Sequence, residues 1–159
     1  MQAYAGIGSS TKTYLQWLTE AILYKSVDTH SNFVITEKAG AGITLGKTTF
    51  YQSMFLGGEN NLIGYKQNRF AGEQILYNNL AVRYKFNNLL SYILPGQYGV
   101  MGMYDIGRVW DRAESSSSVW HNGFGAGVYF SPSDMALLQF KGGYSKEGWY
   151  PYLNFSLTF

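Results

Sequence analysis

The side chains with most to offer chemistry in this sequence are His30 and His121, its two histidines, and ten Asp or Glu residues; cysteine is absent. A zinc site or a nucleophile triad needs an imidazole held beside further ligands or a carboxylate in a recognisable spacing. The two histidines stand in different segments, and neither has an Asp or Glu at ligand spacing. Without Cys there is no thiol nucleophile, no disulfide and no Cys-based metal site. Glu20 and the pair Glu37-Lys38 sit in no catalytic pattern and read as interior or interface polar residues. Gly6-Ile7-Gly8 and Gly40-Ala41-Gly42 precede no helix, so they cannot form a phosphate cradle and read as strand glycines. The expectation is a protein with no catalytic residue, no metal and no cofactor: not an enzyme.

The elements that carry these residues follow from composition. The chain has 159 residues, enough for one domain spanning 1–159, and is 18% aromatic but only 14% charged. Nineteen glycines and three prolines, with few charges, suit many strands rather than a disordered tail. A net charge of +2, with the bases scattered, gives no footprint for nucleic acid. The mean hydropathy of -0.15 is what a membrane barrel shows, since lipid-facing apolar residues alternate with polar interior ones. No run of ~18 apolar residues is present, so a transmembrane helix is not expected. Nor is there a basic and apolar leader at the start, so the chain reads as a mature form.

The last ten residues are the clearest element. Leu153, Phe155, Leu157 and Phe159 alternate with Tyr152, Asn154, Ser156 and Thr158. That period of two makes a strand with one apolar and one polar face. Leu138, Phe140 and Tyr144 alternate with Gln139, Lys141 and Ser145, and Leu80, Val82, Tyr84 and Phe86 with Asn79, Arg83 and Lys85. Eight strands are expected, at about 2–8, 12–25, 31–45, 72–87, 97–110, 118–131, 134–146 and 149–159, close to the ~9–11 residues that cross a membrane. Strands 12–25 and 31–45 carry apolar residues on both faces. Short connections alternate with long ones, at 111–119 and at about 47–71. The fold class is therefore all-β: a transmembrane antiparallel up-and-down barrel of about eight strands, with one long extracellular loop at 47–71.

Within that loop, Phe55-Leu56-Gly57-Gly58-Glu59-Asn60-Asn61-Leu62-Ile63-Gly64-Tyr65, followed by Arg69-Phe70-Ala71-Gly72, resembles the bacterial surface antigen family. These are the BamA/TamA-type assembly and translocation barrels. Tyr104-Asp105-Ile106-Gly107-Arg108-Val109-Trp110, the Gly-rich 123–127 stretch and the aromatic final strand are similar too, over roughly 32–159. The resemblance implies that Gly57, Gly58, Ile63, Gly64, Tyr65, Arg69 and Phe70 form a lumen-directed loop, and that Asp105 and Gly107 mark the strand it meets. It also implies that Phe155, Leu157 and Phe159 form a terminal assembly signal. Family barrels pair the loop's Arg with the strand's Asp, but this chain has Ile63 at that place, leaving Lys66, Arg69 or solvent to face Asp105. Family barrels also have about sixteen strands and periplasmic domains; this chain looks like their last eight strands.

The expected function is assembly, insertion or transport of outer-membrane components by an integral barrel of a bacterial outer membrane. The implied partners are membrane lipids, client outer-membrane proteins and a second copy of the chain. A structural or small-pore barrel is the alternative, and a soluble ligand-carrying barrel a third, which would put its apolar faces inside. An eight-stranded lumen is just wide enough for its own side chains, so a closed small barrel is expected to keep the loop outside.

Overall fold

Alternation of bulky apolar residues with small or polar ones favours extended chain over helix, and the backbone follows it. The computed structural model describes residues 2–4, 14–46, 53–89, 95–110, 119–132 and 135–157. Its strands are β1 (Gln2–Tyr4), β2 (Tyr14–Ser26), β3 (Phe33–Gly46), β4 (Met54–Leu56), β5 (Phe70–Gly72), β6 (Gln74–Leu89), β7 (Gly96–Trp110), β8 (His121–Pro132), β9 (Ala136–Ser145) and β10 (Gly148–Leu157). Eight of them form one sheet in the order β1-β2-β3-β6-β7-β8-β9-β10, while β4 and β5 pair with each other. Every neighbouring pair is antiparallel. The expected all-β meander is therefore present, as a sheet whose edges among the described residues are β1 and β10. Residues 5–8 of the first expected strand, the 111–118 connection, the Ser133-Asp134 turn and Phe159 lie outside the described residues.

Register sorts the side chains into two faces. Leu80, Val82, Leu138, Phe140, Phe155 and Leu157 share the outer face, while Arg83, Lys85, Gln139 and Lys141 share the inner one. Leu153 is 70% and Phe155 65% exposed, whereas Lys141 is 8% exposed. An apolar exterior around a polar interior is the inverse of a soluble barrel and suits lipid outside. Aromatic side chains gather at both ends of that exterior. Phe86 contacts Tyr84 and Tyr98 at one end, and Trp110 meets Trp120 at the other.

The long loop takes the lumen-directed course that the family resemblance implies, not the outside position expected of a closed eight-stranded barrel: its β4–β5 hairpin and the turn between them fold back onto the inner face of β3, β6 and β7. Met54, Leu56, Leu62 and Tyr65 from the loop bury with Ile75, Tyr77 and Val109 from the sheet, forming the apolar core.

Candidate functional site

The loop tip is shaped by backbone that side-chain-bearing residues rarely adopt. Gly57, Gly58 and Gly64 have φ of 127°, 92° and 83°. The Leu62 N–H donates to the Gly58 carbonyl at 3.1 Å. Asn61 stitches the turn from both sides, accepting from the Gly57 N–H at 2.9 Å and donating to the Phe55 carbonyl at 3.1 Å. This compact tip presents the Ile63-Gly64-Tyr65 backbone to the sheet.

Asp105 receives it. The Ile63 N–H donates to Asp105 Oδ2 at 2.8 Å, and Asp105 is only 5% exposed. Neither expected cation takes this role: Lys66 is exposed, and Arg69 pairs instead with Glu147 at 2.6 Å. Asp105 is not an acid bathed in solvent either. A main-chain dipole stands where the family resemblance implies a guanidinium, and such an N–H-to-carboxylate bond is among the stronger hydrogen bonds. The Ile63 side chain, 1% exposed, packs over Gly125 and Gly143.

Glycines on the wall make this approach possible. A Cβ on Gly123 would run into the Ile63 carbonyl oxygen, and one on Gly143 into the Gly64 nitrogen. Around this contact, the Tyr152 hydroxyl accepts from the Gly64 N–H at 3.2 Å and donates to the Tyr65 carbonyl at 3.0 Å. Ser145 Oγ donates to the Gly64 carbonyl, and the Tyr65 hydroxyl reaches the Asn122 carbonyl at 3.2 Å.

The tip is also held by charge. Glu59 pairs with Lys141 on β9 and accepts from Asn154 on β10. Lys38 Nζ donates to the Asn60 carbonyl at 2.5 Å, and Asn79 Nδ2 to the Asn61 carbonyl at 2.9 Å. The loop therefore ties β3, β6, β7, β9 and β10 together from inside. At its exit, Phe70 stacks on His121 with ring centroids 3.8 Å apart, beside the Arg69–Glu147 pair.

Gly57, Gly58, Ile63, Gly64, Tyr65, Arg69 and Phe70 thus converge with Asp105 on one inner surface, while Gly107 lies under Leu56. Phe155 and Leu157 stand apart, on the outer face of the edge strand. Sequence reasoning did not name Glu59, Asn79, Lys141, Ser145 or Tyr152 as loop anchors. Alternation does put Lys141 and Tyr152 on the polar face, but nothing in the sequence pairs that face with a loop about eighty residues earlier. Among the described residues, no three His, Asp or Glu side chains gather as a metal would require. The arrangement is mechanical: a clamp between an inner loop and a sheet. A family model, the Omp85 superfamily domain, matches residues 1–157. None of the curated proteins matches the sequence.

Proposed function

The chain belongs to the Omp85 superfamily, and from that membership we propose that it assembles, inserts or transports other outer-membrane components as an integral barrel of a bacterial outer membrane. The observation that carries this reading is the edge of β10. From Gly148 to Leu157 it pairs with β9 on one side and with no described strand on the other. Hydrocarbon cannot satisfy an open row of peptide groups, so another strand must cover this one in the membrane. By the alternation of the meander, β2 runs parallel to β10 and cannot close the seam as an antiparallel pair. β1 has the right direction and, among the described residues, pairs with β2 over Gln2–Tyr4.

A strand edge of this kind suits exchange with an incoming client strand, while the inner clamp holds the rest of the sheet in shape. The chemistry is the making and breaking of hydrogen bonds; no covalent step and no cofactor is involved. The test is the folding of a client β-barrel into liposomes containing this protein, with a photocrosslinker at Phe155. Faster folding than in empty liposomes, with client crosslinked to β10, is expected. A steady ionic conductance with neither effect would replace this reading by a structural or small-pore barrel.

We also propose that the working unit is a dimer. An eight-stranded barrel has room inside for little beyond its own side chains. A sheet carrying a folded loop on its inner face therefore suits a wider barrel, to which two copies would contribute about sixteen strands.

A further inference from the structure

On β6 to β8 the inner face continues past the loop tip towards the turn at 27–32, while the tip's Glu59 reaches Lys141 on β9 and Asn154 on β10. We propose that this stretch is a binding site for a small multivalent oxyanion of the phosphate class, held by Arg83 and Lys85 on β6 and Tyr129 on β8. The inference does not depend on the client reading, because it rests on the sheet alone.

Register brings the three together. Arg83 and Lys85 are two apart on one strand and share the inner face, opposite Met101 and Gly99 of β7. Gly99 in turn pairs with Tyr129. Because Gly99 has no side chain, the Tyr129 ring lies across it; a Cβ there would meet the ring at 2.7 Å. The phenol thus reaches over β7 towards the two bases. The arrangement offers a guanidinium fork, an ammonium and a hydroxyl around a bare patch of backbone.

The other two bases on the described inner face have acid partners. Lys38 lies 3.6 Å from Glu20, and Lys141 pairs with Glu59. The acids are equally engaged: Glu20 also accepts from Tyr77, Glu59 from Asn154, and Asp105 from Ile63. Arg83 and Lys85 enter no ion pair among the described residues. The buried Nε of Arg83 has no hydrogen-bond partner. A half-buried guanidinium left in this state favours an anion, and its planar fork fits tetrahedral or carboxylate oxygens better than a spherical halide.

The test uses the intact protein in nanodiscs, titrated with inorganic pyrophosphate at constant ionic strength while its melting temperature is followed. A saturable rise is expected for the wild type and for Lys146→Gln, whose side chain is on an exposed turn, with no such rise for chloride. Arg83→Gln and Lys85→Gln should each weaken the half-saturation about tenfold, the loss of one charge-assisted contact. Tyr129→Phe, which keeps the ring and its packing, should weaken it less and serves if Arg83→Gln does not fold. Absence of a saturable shift in the wild type overturns the proposal. So does a shift that chloride reproduces, or one that all three substitutions leave intact.

Discussion

The peptide N–H of Ile63 and the carboxylate of Asp105 meet at 2.8 Å although they are 42 residues apart in sequence. Because the donor is main chain, the contact does not depend on which side chain occupies position 63, and an Ile can stand where the resemblance implies an Arg. Removing the acceptor by Asp105→Ala would leave a buried N–H unsatisfied, at a cost of roughly 1–3 kcal/mol. Asp105→Asn keeps an acceptor oxygen and should lose less. Hydrogen exchange at the Ile63 amide checks this: unchanged protection in Asp105→Ala would mean that the bond does not hold the loop.

Gly123 tests the close approach of loop and wall. A methyl group there collides with the Ile63 carbonyl, whereas one at Gly102, on the same sheet, meets nothing within 4 Å. Gly123→Ala should therefore displace the loop and destabilise the protein by roughly 1–3 kcal/mol, the usual effect of overpacking. Gly102→Ala should be close to neutral. Melting temperatures and protease sensitivity of the 53–72 segment give the comparison, and equal behaviour of the two variants would refute the packing described.

The two faces can be read with spin labels. Labels at Leu138, Phe140 and Phe155 should be accessible to oxygen dissolved in lipid, and labels at Arg83 and Gln139 should not. A one-residue slip exchanges the faces of a strand, so lipid contact at Arg83 would disprove the register.

Asp28 lies in the turn at 27–32, outside the membrane-spanning strands. The Phe33 N–H donates to its Oδ1 at 3.0 Å, and this bond holds the carboxyl below its usual range. A lowered folded pKa means that the contribution is complete above the ordinary carboxylate pKa of about 4 and disappears as pH falls through the lowered value. Exchange of the Phe33 amide should accelerate over that acidic window, and Asp28→Asn should abolish the pH dependence. A pH-independent wild-type amide would contradict the assignment.

The dimer predicts a mass. In nanodiscs or mild detergent the protein should run at twice the chain's 17.9 kDa after correction for lipid. A monomer at every accessible concentration would count against a shared barrel.

By itself the sequence determined the strands and their two faces. A period of two is a local property, and 152–159 or 80–86 display it whatever lies beside them. It determined the loop's sharp tip as well, because Gly57, Gly58 and Gly64 supply the positive φ that other residues resist. The family resemblance pointed the loop inward, but only the tertiary structure decided what it meets there. Asp105 found its partner in a backbone amide, which has no side-chain signature to read. Tyr152, Lys141 and Asn154 became anchors because β9 and β10 curve under a segment more than eighty residues earlier. Burial of Ile63 against the sheet likewise depends on the bare wall at Gly123 and Gly143, and the seat of Leu56 on Gly107. A glycine shows in the sequence that something can come close, and only the folded sheet shows what does.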